Sequence, residues 1–258
     1  MKIATWNVNS LKVRLPHVLD WLAAQQPDVL CLQELKCDNA AFPAAELREA
    51  GWHAAVNGQK TYNGVALVSR HEAQDTHFDL PGMADDPQKR LIAATFGGVR
   101  VISAYFPNGQ ALDSDKFAYK MDWLKALEDW LRAELARHPR LVLAGDFNIA
   151  PTDADAHESW PPGTIHVSAP ERAAFARLLD LGLQDAFRLF AQPEKSWSWW
   201  DYRMGAFRRN IGLRIDHLLV SDALRPSCTA CTIDRAPRAL ERPSDHAPVV
   251  LELADGNG

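Results

Sequence analysis

Long hydrophobic runs are absent from this 258-residue chain, and with them any candidate membrane-spanning helix. The opening residues, Met1-Lys-Ile-Ala-Thr-Trp-Asn7, lack the apolar core of a secretory signal and read as a strand, so a cytoplasmic protein is expected. Cysteine is scarce, with four in all. Cys228 and Cys231 form a CxxC, but no second pair or nearby His pair completes four zinc ligands, so reduced thiols are expected. No Gly/Ser/Pro-rich linker, low-complexity tract or fixed-period repeat interrupts the chain, which favours a single domain over residues 1–258. Positive charge is not in excess. The net charge of −5 argues mildly against non-specific nucleic-acid binding. The charge is uneven, however: residues 201–214 hold four arginines against one aspartate, a locally basic rim suited to a polyanion.

What the chain does have is a series of short apolar runs rich in Val, Ile and Leu. They fall at 2–6, 28–33, 64–69, 91–96, 99–106, 140–145, 214–220 and 247–252, and many are bounded by Gly, Pro or Asn, as strands are. Helical stripes lie between some of them. Leu11, Leu15, Val18, Leu19 and Leu22 share one face, with Pro16 expected in the first turn. Phe117, Met121, Leu124, Leu127, Leu131 and Leu135 share another, on a helix capped near Asp113 or Ser114 and stopped at His138-Pro139. A third helix is expected over 170–181, ended by Gly182. Strands often follow one another directly, without regular βαβ alternation. The pattern predicts a four-layered α/β sandwich: two mostly antiparallel sheets face to face, helices outside.

Four polar clusters sit at the ends of apolar runs, and each repeats one chemical kit of carboxylate, carboxamide or imidazole. They are Trp6-Asn-Val-Asn9, Gln33-Glu-Leu-Lys36, Gly145-Asp-Phe-Asn148 and Ser244-Asp-His246. Side chains hung from strand ends can converge on one metal ion and one phosphate. Glu34 suits direct ligation of magnesium, which prefers hard oxygens, and Asp245 is a candidate second ligand through water. Asp146 and Asn148, two apart on an extended segment, point the same way and can share a water as base and holder. His246 can hold a phosphate oxygen if a carboxylate orients it, and Asp216 is the best candidate. Tyr105 ends a strand and offers a phenol to a phosphate oxygen, and Asn108 offers an amide. Each residue also has a bland reading: a strand-end salt bridge for Glu34, a Gly-Asp turn for Asp146, a satisfied histidine for His246, a Pro-Asn-Gly turn for Asn108. The dense aromatics of Ser196-Trp-Ser-Trp-Trp-Asp-Tyr202, beside arginines, fit stacking on a base or sugar, although a core cluster would explain several of them.

With these motifs the chain resembles the exonuclease III family of DNA-repair enzymes, of bacterial type, within the endonuclease/exonuclease/phosphatase superfamily. The matching motifs are Thr5-Trp-Asn-Val-Asn-Ser10, Leu32-Gln-Glu-Leu-Lys36, Tyr62-Asn-Gly-Val-Ala66, Tyr105-Phe-Pro-Asn-Gly109, Leu143-Ala-Gly-Asp-Phe-Asn148, Trp199-Trp-Asp-Tyr-Arg203, Gly212-Leu-Arg-Ile-Asp-His217 and Pro243-Ser-Asp-His-Ala-Pro248. They span nearly the whole chain in family order. The resemblance implies Mg²⁺-dependent hydrolysis of the phosphodiester 5′ to abasic sites in duplex DNA, with Mn²⁺ as a substitute. It also implies removal of 3′-blocking phosphates and 3′–5′ exonuclease activity, by an enzyme acting as a monomer. Carried onto matching positions, it makes Glu34 the principal metal ligand, with Asn7 and Asp245 completing the surroundings. Asp146 activates water or the leaving group, Asn148 positions it, Tyr105 and His246 contact the phosphate, and Asp216 orients His246. Trp199 and Leu213 match positions around a flipped abasic sugar, and Arg90 and Arg203 are expected DNA contacts. An arginine that follows the Tyr-x-Pro-Asn motif in the vertebrate relative is replaced here by Gln110-Ala-Leu, so no product clamp carries over. Two other readings compete: another phosphodiesterase or phosphatase of the superfamily, and a non-catalytic DNA-binding module. Binding alone needs no such set of acids and amides.

Overall fold

Two six-stranded sheets absorb nearly every apolar run noted above. The computed structural model describes residues 1–254. The first sheet is built from β1 (Lys2–Asn7), β2 (Val29–Gln33), β3 (His53–Asn57) and β4 (Val65–Ser69), completed by β11 (Cys228–Ile233) and β12 (Val249–Leu253). The second holds β5 (Gln74–Phe78), β6 (Leu91–Phe96), β7 (Val99–Tyr105), β8 (Leu141–Asp146), β9 (Leu183–Asp185) and β10 (Asp216–Ser221). Their orders are β11-β12-β1-β2-β4-β3 and β5-β6-β7-β8-β10-β9. Each sheet is antiparallel except at its middle pair, β1–β2 in one and β7–β8 in the other. Helices α1 (Leu11–Gln25) and α2 (Ala44–Glu49) cover the outside of the first sheet, and α3 (Asp115–Arg137) and α4 (Ala169–Asp180) that of the second. The expected four-layered α/β sandwich is therefore what forms.

Successive side chains on a strand point to opposite faces, so strands buried on both faces read as unbroken apolar runs. On β2, Val29 and Cys31 enter the core between the sheets, while Leu30 and Leu32 pack under α1 and α2. On β8, Val142 and Ala144 face the other sheet, while Leu141 and Leu143 pack under α3 and α4. The inner face changes character along the strands. Ile3, Val29, Val101 and Val142 are apolar, and a hydrogen-bonded layer follows in which Gln33 Nε2 donates to Thr5 Oγ1 at 3.0 Å and to Ser103 Oγ at 3.1 Å. At the strand ends stand Asn7, Tyr105 and Asp146, and Asp216 opens β10 directly opposite Asp146 in the antiparallel register. Gly145, just before Asp146, has φ +154, and a side chain there would strike the Ala104 carbonyl oxygen at 1.8 Å, so only glycine fits that close approach.

Several expectations need correction. Strands β3, β5, β9 and β11 and helix α2 were not foreseen. β3, β5 and β11 lie at sheet edges, half exposed and therefore polar, and β9 and α2 are short. Pro16 is not in the first turn of α1 but inside the helix, one turn further on. Ser114 does cap α3, its side chain accepting from the Phe117 N–H at 3.1 Å. The CxxC lies along β11 with both thiols free, and burial raises the pKa of both, in keeping with structural cysteines. No helix among the described residues is long and apolar enough to cross a membrane. The inter-sheet core is the main source of stability. Replacing the fully buried Leu67 by alanine should cost about 2–5 kcal/mol, read as a lower urea midpoint with an unchanged slope.

Candidate active site

One end of the inter-sheet interface holds a cluster of acids and amides. Asn7, at the end of β1, donates from Nδ2 to Glu34 Oε1 at 2.8 Å and to Asp146 Oδ2 at 2.9 Å. Two carboxylates can only accept, so the amide must turn its NH₂ toward both. Its own carbonyl accepts from the Asn9 N–H at 2.9 Å. Glu34, one residue past β2, takes a left-handed backbone (φ 52) that swings its carboxylate into the cluster. Lys36 lies 3.0 Å from its Oε2. Glu34, Asp146 and His246 each offer a ligand atom, and these atoms lie within 4.8 Å of one another. The two carboxylates, open to solvent through the partly exposed Glu34, suit a hard divalent cation.

His246 sits opposite. Its Nδ1–H donates to Asp216 Oδ2 at 2.8 Å, and its Nε2 lies 3.7 Å from Asp146 Oδ2. Asp216 is itself fixed by the Ser198 hydroxyl at 2.7 Å. Burial alone would lower the His246 pKa, but the Asp216 and Asp146 carboxylates outweigh it and push it up to about 10. For Asp146 the balance differs. Burial raises its pKa to about 7, opposed by His246 and the Asn7 amide. Tyr105 is half-buried beside Glu34 and Asp146, and desolvation together with those charges holds its phenol protonated, well above the ordinary value.

The turn after Asp146 folds back on itself. The Asn148 N–H donates to Asp146 Oδ1 at 2.9 Å, with Asn148 in a left-handed conformation (φ 50). Asn148 Nδ2 donates to the Phe106 carbonyl at 3.0 Å, and Asn108 Nδ2 donates to Asn148 Oδ1 at 3.2 Å. The expected alignment of Asp146 and Asn148 along an extended segment is thus replaced by a tight turn. The two side chains still share one neighbourhood, through the backbone bond.

Asp245 and Trp199 complete the rim. Trp199 Nε1 donates to Asp245 Oδ2 at 2.9 Å, and Asn9 Nδ2 donates to Asp245 Oδ1 at 3.0 Å. Bridges join Trp199 to both Leu213 and His246, which brings Leu213 to the same edge, fully buried. Trp197 and Trp200 belong to the core instead. The arginines divide. Arg203 is exposed and paired to Asp201 at 2.6 Å. Arg214, counted in the basic rim above, is buried, bound to Asp155 at 2.7 Å and to Asp185 at 2.6 Å. Arg90, expected on the surface, is only 9% exposed. Its guanidinium lies 4.8 Å from the Tyr105 ring centre and donates to the Tyr105 carbonyl at 3.2 Å.

Two histidines brace the turn, neither of them among the expected site residues. His217 donates from Nε2 to the Ile149 carbonyl at 2.9 Å and accepts from Arg214 at Nδ1, 3.0 Å away. His166, on a long loop without motif or periodicity to mark it, donates from Nδ1 to the Asn148 carbonyl at 2.8 Å. Burial, helped by nearby cations, holds both neutral, with pKa lowered to about 4.

A sandwich with acids, amides and an oriented imidazole at one end of its inter-sheet seam defines a class of phosphoester hydrolases. The endonuclease/exonuclease/phosphatase family matches residues 4–246, and the chain belongs to it. Exodeoxyribonuclease III of Haemophilus influenzae is 38% identical over 98% of this chain and 100% of that protein. The 3′ phosphatase NExo from Neisseria, solved bound to a product DNA hairpin, superimposes with a TM-score of 0.97 at 55% identity, covering 99% of this chain and 100% of that one. An AP endonuclease from Archaeoglobus fulgidus gives 0.93 at 38% identity, covering 98% and 99%.

The buried neutral His217 has a consequence for stability. Its folded pKa of about 4 lies below the ordinary 6.5, so the unfolded chain takes up the proton first as pH falls. The stability it contributes is full above pH 6.5 and is lost toward pH 4, by up to ~3 kcal/mol. His217→Gln should therefore flatten the fall of Tm with pH across that window, measured by calorimetry in matched buffers.

Proposed function

We propose that this chain is a divalent-metal-dependent DNA-repair hydrolase. It cleaves the phosphodiester 5′ to abasic sites in duplex DNA, removes phosphate blocks from 3′ ends, and degrades DNA from 3′ to 5′. The observation that carries this reading is the approach of Glu34, Asp146 and His246 at one end of the sandwich. Whole-length similarity to an exodeoxyribonuclease III, a 3′ phosphatase and an AP endonuclease supports it.

Glu34 would hold the ion, with Asn7 orienting its carboxylate and Asp245 holding outer waters. Mg²⁺ fits these oxygens, and Mn²⁺ shares the same preference. When bound, such an ion offsets the charge that builds on the phosphate. The chain's own groups do the rest. Asp146, with its pKa near operating pH, moves a proton at Oδ2, from the attacking water or to the leaving oxygen. His246, charged and held by Asp216, stabilises a phosphate oxygen from Nε2. The neutral Tyr105 phenol donates to another. Asn148 and Asn108 keep amide hydrogens free for water or phosphate.

Trp199 packs beside the sugar with Leu213 buried behind it, and Arg203 meets the backbone once it leaves Asp201. Arg90 acts through Tyr105, whose ring and carbonyl it holds, rather than on DNA directly. The proposal extends to one domain over residues 1–258 acting as a monomer in the cytoplasm. The pairing of β1 with β12, from opposite ends of the chain, supports the first part.

The test uses three duplexes: one with a tetrahydrofuran abasic analogue, one with a recessed 3′-phosphate, and one with a recessed 3′-hydroxyl. Product is expected with Mg²⁺ and none after EDTA. Gel shift without product would indicate a binding module. Turnover of small phosphate esters alone would indicate a different phosphatase. Asp146→Asn should lower kcat by about 10²–10⁴-fold while the duplex still binds. Normal turnover in that variant would remove Asp146 from the mechanism.

A further inference from the structure

Beneath the turn that carries Asn148 lies a lysine that no motif singled out. Lys120 projects from α3 and is fully buried, as is its partner Glu171 in the first turn of α4. An ammonium group has three hydrogens and accepts nothing. All three are used here: Nζ lies 2.5 Å from Glu171 Oε1, 2.8 Å from the Asn148 carbonyl and 3.2 Å from the Asn108 carbonyl. Glu171 Oε2 in turn accepts from the Ser168 hydroxyl at 2.6 Å and the Ser168 N–H at 3.1 Å, which closes the cap of α4. The chain makes room for the lysine stem. Gly109 (φ +88) passes so close that a Cβ there would meet Lys120 Cδ at 3.0 Å.

We propose that Lys120, held by Glu171, is the positioning residue that ties the two amide-bearing turns of the active site together. The Asn108 and Asn148 turns come from different connections, the first leading from β7 to α3 and the second leaving β8. Their side chains meet at one hydrogen bond of 3.2 Å. One cation gripping both backbones from below fixes that meeting, and with it the Asn148 N–H that holds Asp146 Oδ1. Stability alone does not call for this arrangement. A buried ion pair can be replaced by apolar side chains of similar volume at little or no cost in stability. The pair instead sets geometry, and a displacement of about 1 Å at a reacting group can cost about 10²-fold in rate. This inference rests on the proposed phosphoester chemistry, but the geometry can be read without it.

The test replaces the pair by Lys120→Met with Glu171→Leu. This double variant should lose only the few degrees of Tm expected from the lost α4 cap, keep KM within about threefold, and lose about 10–100-fold in kcat on the 3′-phosphate duplex. In an Asn148→Ala background the same two changes should cost little more, because they act through that residue. Additive losses would overturn the proposal, as would a folded double variant with parental kcat. Glu171→Gln covers the case in which the double variant does not fold. It leaves Nζ both carbonyl acceptors and should keep most of kcat, and a loss as deep as that expected of the double variant would refute the carbonyl contacts as the cause. Amide exchange gives a readout that needs no activity. The Asn148 and Ala150 N–H groups should exchange about tenfold faster in the double variant, with the central strands unchanged. Unchanged exchange at both would sink the inference. A parental protein inert on all three duplexes would sink the proposed function instead and leave the exchange result standing.

Discussion

The buried carboxylate of Asp146 is the group on which the rest of the site depends. It is 1% exposed, at the end of a strand whose other inward residues are apolar. An ionised carboxylate taken that far from water is costly unless donors and cations surround it. The structure supplies them from three directions: the Asn7 amide, the Asn148 N–H and the facing His246 imidazole. Each supplier is anchored by a further partner. Asp216 holds His246, Ser198 holds Asp216, and Lys120, His166 and His217 hold the turn after Asp146.

That arrangement leaves the site electrostatically divided. One wall is acidic, with Glu34 and Asp146, and the opposite wall presents an imidazole driven positive by its own carboxylates. A cation fits against the first wall and an anion against the second, which is what a metal-bound phosphate requires. The two neutral histidines behind the turn satisfy its backbone carbonyls without adding to the positive charge of Lys120. The sandwich makes this affordable, because its apolar core lies two to four residues back along the same strands.

Much of the site was legible because motif and strand end coincide. Asn7, Tyr105, Asp146 and Asp216 all terminate or open strands, and alternation alone places them on the inner face. Glu34 and His246 lie within a few residues of strands in short polar clusters. Arg90, Arg214 and Lys120 were not legible in the same way. A basic side chain in a sequence looks solvated, and only partners gathered by the fold bury it: Tyr105 for Arg90, Asp155 and Asp185 for Arg214, Glu171 for Lys120. His166 escaped for a similar reason, since its loop has neither periodicity nor motif and its partner is a backbone carbonyl. Edge strands were missed because one exposed face dilutes the apolar pattern.

The amino-acid order by itself determined the strands that are buried on both faces, the two long helices with the Ser114 cap of α3, and the identity of the acids and amides at strand ends. These are local matters of period, turn chemistry and residue type. Tertiary structure alone decided which polar groups share a partner, which arginines face solvent, and which carboxyl group carries a proton near neutral pH. Those depend on distances that only the fold sets, as between Asn7 and Asp146, 139 positions apart. In a low-dielectric interior such distances set the energy of every charge.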